Sequence, residues 1–270
     1  MTQDTQLKYL IQYLWDEQHK DEVLQLPDDP QQRWQLYRGL ANQRPAQAVS
    51  DAYLHVQDAY LQSLQRPIVT FEDLKPYEVA PDIFLWQGDI THLAVDAIVN
   101  AANSDLLGCF IPNHNCIDNV IHTYAGVQLR LACAQIIERQ GRKEGVGKAK
   151  LTSAYHLPST YVIHTVGPYV REGRVSQMQK DMLARTYQSC LARADQEGLR
   201  HIALCCISTG VFGFPQEAAA RIAVETVKSY KAATSSNIAV IFNVFTDEDR
   251  TYYKEALSRH DDTALAKFKL

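Results

Sequence analysis

No apolar run in this chain is longer than the six residues from Ile202 to Ile207. A membrane span needs about twenty such residues and a signal-peptide core about seven, so the sequence predicts a soluble, cytoplasmic protein with no membrane partner. Cysteine is scarce: six in 270 residues, at the uneven positions 109, 116, 133, 190, 205 and 206. That sparsity excludes a disulfide scaffold and leaves reduced thiols or a metal site. An excess of positive charge is also missing, because 27 Lys and Arg face 31 Asp and Glu. The balance argues against nucleic acid as a partner and favours a small or protein-borne ligand. Neither the P-loop pattern Gly-x4-Gly-Lys-Ser/Thr nor the dinucleotide fingerprint Gly-x-Gly-x-x-Gly occurs, so neither chemistry is supported. What is present, 46% hydrophobic and 21% charged residues, fits one large globular domain with or without an extension.

Residues 1 to 66 read as helices only. Leu7, Leu10, Ile11, Leu14 and Trp15 form one stripe, and Trp34, Tyr37, Leu40 and Ala41 form a second after the Pro30 start signal. Val49, Tyr53, Val56, Tyr60 and Leu64 form a third between Pro45 and Pro67. These are packing or docking faces, and no chemistry is visible in them. From residue 68 short β-branched and aromatic runs alternate with helical periods. Strands are predicted at Ile68 to Phe71, Ile83 to Gln87, Asp96 to Asn100, Tyr161 to Val166, His201 to Ser208 and Ile238 to Phe245. Helices are predicted at Ile117 to Gln140, Gln177 to Glu197, Pro215 to Lys231 and Glu248 to Arg259. This alternation predicts a layered α/β domain over residues 67 to 270, with ligands at the carboxyl ends of its strands.

Four loops could carry chemistry. Ser208-Thr209-Gly210-Val211-Phe212-Gly213-Phe214 leaves an apolar strand and enters a helix at Pro215, so its amides suit an anion; a plain strand-to-helix turn is the alternative. Asp89, in Gln87-Gly88-Asp89-Ile90-Thr91, could accept from a ligand amine, or could simply make a turn. Asn100 and Asn103 after the next strand suit polar ligand contacts or Asx turns. Cys109, His114 and Cys116 form C-x4-H-x-C, three donors of the kinds zinc prefers. A nucleophilic cysteine and two packed thiols are the alternatives. Asp118 opens the next helix as a first-turn carboxylate, whereas Cys133, Cys190, Cys205 and Cys206 read as small core residues. His122 and His164 read as satisfied structural histidines.

In order along the chain, QGDIT (87 to 91), VDAIVNAANSDLLG (95 to 108), DNVIHTYAG (118 to 126), YVIHTVGP (161 to 168), ISTGVFGFP (207 to 215) and FNVFTDED (242 to 249) resemble the macrodomain family. The resemblance covers residues 68 to 265 and implies a three-layer α/β/α fold with a mixed sheet that binds ADP-ribose. The chain departs from most hydrolytic members between residues 108 and 118, where GCFIPNHNCID replaces their glycine run. That replacement, with the helical extension of residues 1 to 66, resembles the zinc-containing branch. The branch implies a hydrolase of glycosidase type that removes mono-ADP-ribose from a protein side chain. Some members are associated with a sirtuin-type ADP-ribosyltransferase and a lipoyl-carrier protein, which the resemblance makes an expected partner beside the mono-ADP-ribosylated substrate. Carried over to this sequence, Asp89 and the Ile90 amide would hold the adenine and Phe245 would stack on it. The amides of Ser208, Thr209, Gly210, Val211, Phe212, Gly213 and Phe214 would hold the diphosphate, with Phe212 against the distal ribose. Asn103 and Asp118 would be catalytic, and Cys109, His114 and Cys116 would hold one zinc ion. A non-catalytic reader of ADP-ribose and a deacylase of free acylated ADP-ribose are the alternatives.

Overall fold

Strands covered on both faces need continuous apolar runs, and Ile83, Phe84, Leu85 and Trp86, Ile98 and Val99, and Val240, Ile241 and Phe242 supply them. The computed structural model describes residues 1–19, 22–171 and 174–258. Its strands are β1 (Val69–Thr70), β2 (Glu78–Ala80), β3 (Ile83–Gln87), β4 (Leu93–Ala94), β5 (Ala97–Ala101), β6 (Ala149–Ser153), β7 (Tyr161–Thr165), β8 (His201–Leu204) and β9 (Ala239–Val244). Seven of them form one sheet in the order β2-β3-β9-β8-β5-β7-β6. The inner neighbours are parallel, and each edge strand, β2 and β6, is antiparallel. The sheet is therefore mixed, as the resemblance implies.

Helices α5 (Ile117–Ala125) and α6 (Val127–Gln140) cover one face. Across the other pack α7 (Gln177–Gln196), α8 (Gln216–Thr234) and α9 (Asp247–Ser258). Three predicted elements need correction. Ile68–Phe71 stays outside the main sheet: Val69 and Thr70 pair only with Leu93 and Ala94, and Phe71 starts the single turn α4 (Phe71–Leu74) under a Thr70 capping box. Ile117–Gln140 is two helices, because Gly126 takes φ +90° between them, a backbone angle that only glycine adopts cheaply. The strand from His201 ends at Leu204, and Ser208, predicted as its last residue, instead sits in a turn with φ +69°. Arg259 and the remainder of the chain lie outside the described residues.

The extension folds as α1 (Gln3–Gln18), α2 (Pro30–Gln43) and α3 (Asp51–Ser63) around its own core of Leu7, Leu10, Ile11, Leu14, Tyr37, Tyr53 and Tyr60. Each fully buried aliphatic side chain there contributes about 1.5–3 kcal/mol. Asp29 caps α2 and Pro30 begins it, as the start signal predicts. Polar contacts join this core to the α/β domain: Gln57 donates to Gln128 at 2.7 Å, His156 meets Asp58 at 2.8 Å, and Trp34 stacks on Tyr124. Among the described residues no helix is long and apolar enough to cross a membrane.

Candidate active site

Because β3, β9, β8, β5 and β7 run parallel, the loops that follow them open along one edge of the sheet. At its β3 end Asp89 caps a short turn (Ile90–His92), its Oδ1 accepting from the Thr91 amide at 2.9 Å and the Thr91 hydroxyl at 2.6 Å. Its Oδ2 lies 3.6 Å from the Arg66 guanidinium and 3.8 Å from His92. Arg66 also donates to the Thr91 hydroxyl and sits over the Tyr124 ring, a contact that no periodicity in the sequence marks. Phe245 leaves β9 at the level where Gly88 and Asp89 leave β3: the register pairs Gln87 with Val244, and Asn243 donates to the Gly88 carbonyl at 2.9 Å. The residue is 73% exposed, which leaves its ring open to stacking.

The loop after β8 is closed by its own hydrogen bonds. The Gly213 amide donates to Gly210 at 2.9 Å and the Phe214 amide to Ser208 at 2.9 Å. Those two amides are spent inside the loop, and Phe214 puts its ring in the core. Tyr169, which sequence reasoning missed, packs edge-on against Phe212, while the Val170 amide donates to the Phe212 carbonyl. Gly213 has φ +69°, and a Cβ there would lie 2.8 Å from the Val170 carbonyl oxygen. Gly213→Ala is therefore expected to cost about 1–3 kcal/mol in a urea titration. Gly210→Ala, whose added carbon meets nothing within 4 Å, should be close to neutral. Equal stability of the two variants would show that the loop does not need this backbone.

Asn103 follows β5 and organises its own turn: Oδ1 accepts from the Asp105 amide at 3.0 Å and Nδ2 donates to the Gly108 carbonyl at 3.0 Å. The Asx-turn reading thus holds, and one amide hydrogen remains for a ligand. The next segment brings Cys109, His114 and Cys116 together, their donor atoms all within 4.8 Å of one another. Cys109 Sγ lies 3.7 Å from His114 Nδ1. Burial, with the adjoining Cys109 thiol, pushes the Cys116 thiol up to about 12. A divalent cation reverses such a shift by stabilising thiolates, so this donor set fits zinc.

Asp118 is buried in the first turn of α5, and burial pushes its carboxyl up to about 6 against the opposing pull of Asn100 and Arg130. Asn100 Nδ2 donates to Asp118 Oδ1 at 2.8 Å and contacts His164 Nδ1 at 3.2 Å. Thr152 meets His164 Nε2 at 2.9 Å, so His164 is satisfied as predicted. His122 is not: both ring nitrogens are buried without a hydrogen bond, and its nearest carboxylate, Asp118, is 3.6 Å away. His122, Cys133 and His164 also converge within 4.8 Å, but Asn100 and Thr152 already engage both nitrogens of His164. Cys133, Cys190 and Cys205 are buried core residues, and Cys206 is half-buried.

Burial holds His164 neutral, its folded value pushed down to about 3. The unfolded chain takes up a proton below about 6.5, so this stability is complete above that pH and is lost as pH falls toward 3. A single such histidine is expected to remove about 2 kcal/mol between roughly pH 6.5 and 5, measured by urea denaturation. NMR of labelled imidazole should find His164 still neutral at about pH 5. A midpoint near 6.5 would contradict the buried assignment.

The chain is a mixed-sheet α/β/α domain whose parallel strands present an acidic residue, an exposed aromatic residue and an amide-rich loop along one edge, where open sheets of this class place their ligands. The profile of the Macro domain family matches residues 99–223. A protein of Staphylococcus aureus (strain MSSA476) named protein-ADP-ribose hydrolase is 59% identical over 94% of this chain and 95% of its own length. One of the same name from Treponema medium is 47% identical over 96% and 100%. The Trypanosoma brucei macrodomain in complex with ADP-ribose superposes with a TM-score of 0.63 at 29% identity, covering 86% and 97%. The chain belongs to the macrodomain family.

Proposed function

We propose that this chain is a zinc-dependent hydrolase that releases mono-ADP-ribose from a modified protein side chain. The observation that carries the reading is the convergence of Cys109, His114 and Cys116 on the segment that leads from Asn103, after β5, into buried Asp118. Relatives of that name, similar over nearly the whole chain, support the reaction class. In this reading Asp89, the Ile90 amide and Phe245 hold the adenine end. The diphosphate lies on the amides of Ser208 through Phe212, which the Gly213 and Phe214 turns leave free. Phe212 packs on the distal ribose, and the second amide hydrogen of Asn103 reaches a hydroxyl of the same sugar.

Water displaces the protein group from the anomeric carbon, and positive charge develops on the ribose as that bond breaks. Asp118 faces this charge as a carboxylate and accepts a proton from the attacking water, with Asn103 helping to place it. Zinc, held by Cys109, His114 and Cys116, would supply an open Lewis-acid position for a ribose hydroxyl or a water. Free thiols at that site suit the reducing cytoplasm, the compartment this reading assigns.

The deciding assay offers the protein mono-ADP-ribosylated proteins, a modified lipoyl-carrier protein among them, and free acylated ADP-ribose. ADP-ribose released from protein supports the proposal. Release from the small ester alone would make the chain a deacylase, and binding without turnover a reader. Asp89→Ala should weaken binding of free ADP-ribose by about 1–3 kcal/mol in calorimetry. Unchanged affinity would sink the adenine assignment.

A further inference from the structure

The helical extension reaches the Cys-His-Cys segment through side chains of α2. Arg38 donates to the His114 carbonyl at 2.7 Å and to Asn119 Oδ1 at 2.9 Å. Asn42 Oδ1 accepts the Asn113 amide at 3.0 Å, and its Nδ2 donates to the Thr123 hydroxyl at 3.0 Å. Asn119, fully buried, donates in turn to the carbonyls of Ile111 at 3.0 Å and Cys109 at 3.3 Å. Gly39 faces the same segment: a Cβ on it would make ordinary van der Waals contact with the Asn113 and Pro112 side chains, at 3.4 and 3.7 Å. Asn113 itself has φ +55°, a left-handed turn that asparagine adopts more readily than most residues with a side chain. From α6, Arg130 completes the tie by donating to the Leu107 carbonyl at 2.6 Å and, at the end of α2, to the carbonyls of Ala41 and Arg44.

We propose that α2 is the positioning element of the metal loop: Arg38 and Asn42 fix the backbone of residues 109–114 so that the three donor side chains converge. Both residues bond to the backbone and side chains of the loop and of α5 and neither is one of the three donors, so both are positioning residues, and the inference rests on the zinc reading above. The extension is then a working part of the hydrolase and not a separable module. A loop so fixed presents its ligands without first being ordered, which slows release of the ion.

The test uses the full chain. Arg38→Ala and Asn42→Ala should release zinc to a chelator at least about tenfold faster than the parent, with hydrolysis falling in parallel and binding of free ADP-ribose retained. Arg38→Lys, which keeps one donor, should recover part of the slow release. Arg33→Ala is the control, because among the described residues Arg33 bonds within the extension, to Pro27, Asp28 and Asp4. It should lower the melting temperature without changing zinc release. Hydrogen exchange supplies a readout independent of metal: in chelated protein the Asn113 amide should exchange at least about tenfold faster in Asn42→Ala than in the parent. Unchanged zinc release and exchange in both α2 variants would overturn the proposal, as would equal acceleration by Arg33→Ala. Parent protein that purifies without zinc would defeat the metal reading, leaving exchange at Asn113 to decide whether α2 sets the loop.

Discussion

Serine in place of Cys109 or Cys116 should remove the zinc and lower ADP-ribose release at least about a hundredfold, while the domain stays folded. The parent should contain about one equivalent of the ion, and two remaining ligands rarely hold it tightly. The fold should survive because none of the three ligands belongs to the hydrophobic core. Their backbone is held by Arg38, Asn42 and Asn119 in either case. Zinc content by atomic absorption, release of ADP-ribose and a thermal melt decide the matter together. Near-normal hydrolysis by folded, verified zinc-free protein would refute the catalytic assignment. Unfolding on chelation would make the ion structural, as in small zinc domains that are unfolded without it.

The inner strands were legible because burial on both faces writes itself as an apolar run, in Ile83 to Trp86 as in Ala239 to Phe242. The antiparallel strand Ala149–Ser153 was not, since an edge strand needs one partner only and its residues are mostly half-buried. Gly126 was visible as a glycine, but the stripe of Ile121, Ala125, Leu129 and Cys133 runs through it, and periodicity alone reads one helix where the chain makes two. At the site, the strand-end loops and the Cys-His-Cys spacing are local patterns and could be read. Arg38, Asn42 and Arg130 could not. Their partners are 76, 71 and 89 positions away, and a contact of that range leaves no mark on local spacing. The split character of Asp89 also needed coordinates, because nothing in Gly88-Asp89 announces that Arg66 and Thr91 share its carboxylate.

Asp118→Asn should abolish hydrolysis without destabilising the protein. A carboxylate that takes a proton from water, or faces a cationic ribose, has no substitute in an amide, and loss of such a group costs about 10²–10⁴-fold. The amide has the same shape, and its oxygen can accept from Asn100 Nδ2 as Oδ1 now does at 2.8 Å. It also removes an ionisable group from a site where burial already opposes the charge, so the melting temperature should stay level or rise. Asp118→Ala should differ, because Asn100 Nδ2 then loses an acceptor in the core, at a cost of about 1–3 kcal/mol. The pair separates chemistry from packing: both variants should fail to release ADP-ribose, both should still bind it when free, and only the alanine should melt early. An active asparagine variant would reduce Asp118 to a buried support for Asn100 and move the catalytic burden to the metal loop.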